Sequence, residues 1–431
     1  MLIATDAIFR IGAEILFLKS LFLIKRLTTN HSNFMKYNLL EQLKITVLFG
    51  LLLLISCNAQ PEKDIILGAN RMAEYLPLLI DKNVGIIGNQ TSLVKRTDSD
   101  YTHLVDTLLK REINVKKVFA PEHGFRGQAD AGEKVEDGID KKTGLPIVSL
   151  YGNNKKPSAS QLDDLDVLVF DIQDVGVRFY TYISTLHYIM EACAENEIPL
   201  IVLDRPNPNG DYIDGPLLQQ EFQSFVGMHP VPVVHGLTMA EYAQMINGQG
   251  WLAGELETDL HTVYMKNYNR SKKYEPPVFP SPNLPNYRSI RLYPSLCFFE
   301  GTTISVGRGT DTPFQIYGAP FLPEDKYGFE FTPQPNQGAK YPKHEGQLCN
   351  GKKLSQLPQG QIELTYLIHA YRDSPDQSAF FNDFFNKLAG NEVLQTKIKQ
   401  GFRADEIYSS WTADLEAFKK KRKKYMYYSA N

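Results

Sequence analysis

From about residue 64 the chain alternates short, strand-like, mostly apolar runs with segments of helical period. Val84–Gly88 (VGIIG), Val115–Ala120 (VKKVFA), Pro146–Leu150 (PIVSL), Val167–Ile172 (VLVFDI) and Pro199–Leu203 (PLIVL) read as buried strands. Residues 70–80, 101–112 and 182–196 read as helices, the second with Leu104, Val105, Leu108 and Leu109 on one face. Apolar strands without in–out alternation, separated by amphipathic helices, predict a parallel sheet covered on both faces. The expected fold is therefore α/β, a Rossmann-like doubly wound domain with right-handed crossovers. The pattern changes after about residue 255. EPPVFPSPNLPNY is a loop-rich connector, residues 288–330 hold short β-like runs, and 362–372 and 378–400 have helical period. This predicts a Rossmann-like domain over 58–284 and a smaller α+β domain over 285–431 that closes a cleft.

The N-terminal pattern is different. Residues 47–55 (VLFGLLLLI) form an apolar run preceded by Lys44 and followed by Ser56-Cys57. A charged flank, a short apolar stretch and a small-residue cleavage site make an export signal. The run is shorter than the roughly 20 residues a membrane-spanning helix needs. Leu54-Ile55-Ser56-Cys57 resembles a bacterial lipobox, so Cys57 is the expected lipidation site and residues 1–57 the leader, with Met35 as the expected start of translation. The chain is then expected to be exported and lipid-anchored in the cell envelope, in the periplasm or at the outer membrane, touching membrane through the anchor only.

Removing the first 57 of 431 residues leaves 374, enough for two domains. With 43% hydrophobic and 22% charged residues the composition is that of a globular protein. A formal net charge of −3 gives no reason to expect a nucleic-acid partner. Cys193, Cys297 and Cys349 have neither CxxC spacing nor the number for a disulfide framework. The basic tail KKKRKK reads as a solvated helix end, with contact to an anionic envelope polymer as the functional alternative.

In an open parallel sheet ligands bind outside the carboxyl ends of the strands. The residues there are Asn89 and Gln90; Glu122, His123 and Arg126; Tyr151; Asp171, Gln173, Asp174, Arg178 and Tyr180; and Arg205 and Asn207. A glycine-flanked Glu122-His123 at the end of a buried strand is an unusual turn, which makes the carboxylate a candidate catalytic group. Further on, Glu300, Arg308 and Asp311 lie in one Gly/Thr-rich stretch. It is expected either to be a hairpin with an Arg308–Asp311 salt bridge or to cover the cleft. No GxGxxG, Walker, GxSxG or HExxH pattern occurs and the nine histidines have no ligand spacing, so neither cofactor nor metal is expected.

The strings GIIGNQTSLV, FAPEHGFRGQADAGE, VFDIQDVGVRFYTYISTL, VLDRPNPNGDYIDGPLL, SPNLP and FEGTTISVGRGTDTPFQIYGAP resemble the exo-β-N-acetylmuramidase (NamZ-type) family, from about residue 64 to the C-terminus. The resemblance implies release of terminal N-acetylmuramic acid from non-reducing ends of peptidoglycan-derived saccharides. It also implies a Rossmann-like domain, a smaller C-terminal domain and a cleft between them, with the catalytic glutamate at Glu122. Glycoside hydrolysis needs a carboxyl that protonates the leaving oxygen and a second group acting as base or nucleophile. Glu122 is the expected acid, with His123 orienting or tuning it. Glu300, Asp174 and Asp311 are candidates for the second group, as is the substrate's own acetamido group. Arg126, Arg178 and Arg308 are candidates for holding the lactyl carboxylate, and Tyr151, Phe179 and Tyr180 for an apolar sugar face. Two other classes stay open: a non-catalytic muropeptide-binding lipoprotein, and a metal-dependent deacetylase or esterase using His123 and nearby aspartates.

Overall fold

A computed structural model describes residues 63–126, 137–152 and 154–429. The export signal, Met35 and Cys57 lie outside the described residues. In chain order the main elements are β1 (Val84–Gly88), β2 (Leu93–Lys95), β3 (Tyr101–His103), α1 (Leu104–Leu109), β4 (Val115–Ala120), β5 (Gly138–Ile139), β6 (Pro146–Ser149), β7 (Val167–Asp171), α2 (Tyr182–Glu195), β8 (Leu200–Leu203), α3 (Met239–Gly248), β9 (Leu260–Val263) and α4 (Tyr287–Leu296). The C-terminal part adds β10 (Ile316–Ala319), β11 (Phe329–Phe331), β12 (Cys349–Lys353), α5 (Thr365–Asp373), α6 (Phe384–Ala389), α7 (Val393–Lys399), α8 (Ala404–Ser409) and α9 (Thr412–Arg422).

The central sheet runs β5-β6-β4-β1-β7-β8-β9, parallel except for the edge strand β5. Without β5 this is the 3-2-1-4-5-6 order of a doubly wound Rossmann-like sheet. The chain moves outward from β1 through β4 to β6, then returns to the other side of β1 as β7. The strand order therefore reverses at β1, and the exits of β1, β4 and β7 flank the resulting crevice. β1 and β7 are buried along their whole length, which is why they show no in–out alternation.

The smaller C-terminal sheet is antiparallel, β10-β12-β11, and helices α5 to α9 follow it. One apolar core runs from Phe170 and Val177 through Phe298, Phe299 and Phe314 to Trp411. Ile65–Asn431 accordingly forms a single packed unit, and the core continues across the boundary expected at residue 285. No helix among the described residues is long and apolar enough to cross a membrane.

Several local expectations are corrected. The helix expected over 70–80 is three separate turns, broken where Pro77 lacks an amide hydrogen. Tyr101–His103 is not the start of a helix. It pairs antiparallel with β2, and His103 caps α1 by accepting from the Val105 amide. Within 288–330, residues 287–296 are helix, started by a capping box between Asn286 and Ser289. The run expected over 378–400 splits at Gly390, whose φ of 77° ends α6. β9, beyond the change in pattern, completes the large sheet.

Candidate active site

β4 ends at Ala120, and the Gly124 amide returns to the Pro121 carbonyl at 3.0 Å. His123 has φ 71° in this turn, at the position where a hydrogen-bonded turn usually takes glycine, and Gly124 follows at φ 74°. Such a conformation costs a non-glycine residue free energy, and surrounding structure must hold it. His123 is buried at 4% exposure. The consequence of the tight turn is placement: Glu122 and His123 both line a cavity of about 620 Å³, within the range of small-molecule sites.

Both oxygens of Glu122 are held. The Tyr151 hydroxyl, from the β6 exit, donates to Oε1 at 3.1 Å, and the Thr181 hydroxyl donates to Oε2 at 2.9 Å. Thr181 is the N-cap of the 14-residue helix α2 but makes no side-chain cap bond there. Its hydroxyl serves the carboxylate instead, and the positive end of the helix dipole faces an anion. Tyr182 contacts the Glu122 carbonyl through its hydroxyl at 3.4 Å and accepts from Asn89 at 2.8 Å. Burial and the nearby Glu122 charge push the Tyr182 phenol well above its ordinary value, so it stays a donor.

Across the cavity, Glu300 accepts from Arg308 Nε at 3.2 Å on each oxygen. The same guanidinium lies 5.0 Å from the Phe314 ring centre. Lys343 donates to the carbonyls of Phe299, Thr302 and Ile304, which ties down the chain that carries Glu300. Phe179, Tyr180, Phe225, Tyr293 and Phe384 supply apolar wall, and Ser281, Asn283, Lys340 and Tyr341 supply polar rim.

The structure thus brings Glu122, His123, Tyr151, Phe179, Tyr180, Glu300 and Arg308 together on one cavity. The other candidates do not line it, and each has another task. Arg126 pairs with Asp140 at 2.7 Å and Asp106 at 3.4 Å, bracing the loop after β4. Arg178 is fully buried against four backbone carbonyls. Asp171 and Arg205 form a buried two-point ion pair, at 2.6 and 2.8 Å. Gln173 donates to the Asp174 and Pro206 carbonyls, and Asn207 to the Leu237 carbonyl. Asn89 folds onto Thr91 and Tyr182, and so reaches Glu122 only through Tyr182. Gln90 donates to the Phe279 and Pro280 carbonyls. Asp311 is exposed, and the arginine expected to pair with it is engaged by Glu300. Asp174 is buried and accepts from the Gly176 amide at 2.6 Å.

Thr181, Phe225, Tyr293 and the rim at Lys340-Tyr341 were not expected. Thr181 lies within the string VFDIQDVGVRFYTYISTL, and Ser281 and Asn283 within SPNLP; the others carried no sequence signal. Among the described residues no group of three or more His, Cys, Asp and Glu is placed to hold a metal ion.

Two expected results follow from these contacts. Tyr151→Phe and Thr181→Val each remove one of the two hydroxyls on Glu122. A hydrogen bond to a charged group contributes about 1.5–3 kcal/mol, so each variant is expected to lose roughly tenfold in kcat/KM with little change in melting temperature, measured by steady-state kinetics and thermal unfolding. The Asp174 carboxyl is pushed up to about 7 by burial. The folded state then binds a proton between about pH 4 and 7 that the unfolded state has released, so stability from this group is full at low pH and falls as pH rises through that window. Asp174→Asn is expected to gain stability relative to the parent across the same window, by a few kcal/mol at neutral pH, in urea unfolding at pH 4.5 and 7.5. An unchanged difference between the two pH values would refute it.

Fold and cavity define a class: a doubly wound α/β protein with a turn-mounted carboxylate in the crevice at its switch of strand order. Residues 84–288 match the family model described as exo-β-N-acetylmuramidase NamZ, N-terminal, and residues 291–428 match its C-terminal counterpart. The chain belongs to the NamZ exo-β-N-acetylmuramidase family. It is 39% identical over 384 residues to the peptidoglycan β-N-acetylmuramidase NamZ of Bacillus subtilis strain 168, covering 83% of this chain and 89% of that protein. Two crystal structures of DUF1343 family proteins from Bacteroides fragilis NCTC 9343 are similar. One has TM-score 0.79 and 44% identity, covering 86% of this chain and all of that one. The other has TM-score 0.74 and 28% identity, covering 85% and 99%.

Proposed function

We infer that this chain is a glycoside hydrolase that releases terminal β-1,4-linked N-acetylmuramic acid from the non-reducing ends of peptidoglycan fragments. The observation that carries this reading is Glu122, aimed into the cavity with both oxygens held by Tyr151 and Thr181. A carboxyl so fixed can deliver a proton to a glycosidic oxygen in one geometry. Glu300, its charge neutralised by Arg308, is the second carboxylate of the cavity. It is the candidate to activate water or to stabilise positive charge developing on the sugar. Arg308 and Lys340 are the cations of the wall suited to the lactyl carboxylate. Phe179, Tyr180 and Tyr293 offer the apolar faces a pyranose ring packs against.

Incubation with peptidoglycan fragments, followed by mass spectrometry, is expected to yield free N-acetylmuramic acid and fragments shortened by that sugar from the non-reducing end. Recovery of intact or only deacetylated fragments would overturn the reading in favour of a binding protein or a deacetylase. Export and anchoring through Cys57 belong to the same proposal, since they would hold an exo-acting enzyme where wall fragments arise. Cys57→Ser is expected to abolish metabolic labelling by a palmitate analogue and to move the protein from the membrane to the soluble fraction.

A further inference from the structure

Beside the cleft lies a second recess of about 410 Å³. Phe225 lines both, so the two cavities meet at this side chain. Phe225 is pinned there: its carbonyl accepts from Ser184 of α2 at 2.7 Å, and its ring stacks on Tyr188 at 6.3 Å between centres. The two cavities are arranged along one helix. Thr181, which holds Glu122, caps α2, whereas Tyr188 and Glu191 of the recess come seven and ten residues later. At about 1.5 Å per residue that is roughly 10–15 Å along the axis. A glycan that leaves the cleft along this helix reaches the recess within that distance.

The recess is pre-built. His187 and His229 share a hydrogen bond at 3.0 Å, and His229 continues to the Tyr242 hydroxyl at 3.0 Å. His229 also stacks on Trp251 at 4.5 Å, which fixes the indole from one side. Glu191 is held by Lys156 at 2.7 Å and by the Ala253 amide at 3.1 Å. Burial keeps both imidazoles below their ordinary value, so they act as neutral hydrogen-bonding groups. The lining therefore combines aromatic side chains from Trp251, Tyr188 and Phe225 with a carboxylate, two imidazoles, the amide of Gln223 and the Lys155 ammonium, which lies over the Phe225 ring at 4.6 Å. The Ser224 hydroxyl, buried in the same wall, has no hydrogen-bond partner in the protein. Aromatic faces beside a few fixed polar groups suit a sugar, which presents apolar ring faces and a rim of hydroxyl and acetamido groups.

We propose that this recess binds the leaving-side saccharide of the substrate, the glycan that continues beyond the scissile bond. The proposal rests on the muramidase reading above. An enzyme that removes a terminal sugar encloses that residue at one end and must let the remaining chain leave at the other. Phe225 marks the exit, and the recess receives what passes it. Binding energy gathered there helps to place the scissile bond against Glu122. The enzyme thus becomes selective for a continuing glycan over a lone glycoside.

The experiment compares two substrates: a chromogenic aryl glycoside of N-acetylmuramic acid, which does not reach the recess, and a peptide-free tetrasaccharide with N-acetylmuramic acid at its non-reducing end. Trp251→Ala is expected to lower the ratio of kcat/KM for tetrasaccharide over aryl glycoside by about tenfold, mostly through KM. Because Trp251 also supports His229, Tyr188→Ala is made in parallel, and thermal unfolding of both variants establishes that they are folded. A ratio unchanged in both variants would overturn the proposal. The same tetrasaccharide carrying stem peptides is assayed as a third substrate, and a fall seen only with it would also overturn the proposal, assigning the recess to peptide. Cleavage of neither substrate by the parent protein would instead remove the muramidase reading on which the proposal stands.

Discussion

Glu122→Gln is expected to lower kcat on a natural muramyl saccharide by about a thousandfold, within the range for loss of a general acid, while KM changes little. The substitution keeps shape. The glutamine carbonyl still accepts from one of the two hydroxyls at Tyr151 and Thr181, and the other hydroxyl can rotate to accept from the new amide. What disappears is the transferable proton. An aryl leaving group with a stable anion needs that proton far less than a sugar hydroxyl does. The loss on a nitrophenyl glycoside is therefore expected to be much smaller than the loss on the saccharide. Equal losses on the two substrates would assign Glu122 to the nucleophile or base and leave the acid to be found elsewhere, Glu300 first.

The central strands β1, β7 and β8 were legible because burial on both faces leaves nearly continuous apolar runs, and helical segments flank them in the sequence. β9 was not, because Leu260–Val263 is a partly exposed edge strand with a charged and polar neighbourhood. The same asymmetry holds for the site. Glu122 and His123 stood out because a strand followed by that turn is odd locally. The arginines did not sort themselves. Arg126, Arg178 and Arg308 all sit in glycine-bearing loops, and only tertiary partners distinguish them: Asp140, a set of carbonyls up to 211 residues away, and Glu300. A carboxylate fourteen positions along the chain, or a carbonyl two hundred away, leaves no local mark. The far wall of the cavity was illegible for a similar reason. Tyr293 lies in a helix that reads as β-like, and Lys340-Tyr341 lies in a loop with no period at all.

Arg178 shows what that hidden partnership is worth. Its side chain is completely buried. Nη1 donates to the carbonyls of Pro216 and Val231, both at 2.8 Å, and Nη2 to those of Leu388 and Ala389 at 2.9 and 2.8 Å. The last two belong to the final turn of α6, where carbonyls lack intrahelical partners and the helix dipole is negative. One guanidinium therefore joins the segment after β7 to the C-terminal helices without a carboxylate. Burial lowers its affinity for the proton to about 9, and it remains charged at neutral pH. Space around it is also committed, for a Cβ on Gly390 would come within 2.7 Å of Nη2. Arg178→Met fills similar volume but takes the guanidinium away from four buried carbonyls, of which, among the described residues, only Val231 keeps another donor, the Leu218 amide. The expected cost is about 3–5 kcal/mol, the scale of removing one side of a buried polar arrangement, read as a lower urea midpoint at unchanged m-value. Arg178→Lys keeps the charge, but three donors on a compact ammonium cannot span four carbonyls on two sides. It is expected to fall between the two. Because Phe384 and Leu388 of α6 line the cavity, the lysine variant is also expected to raise KM while leaving the chemical step intact, in contrast to Glu122→Gln. A methionine variant as stable as the parent would show that α6 is held by its apolar contacts alone.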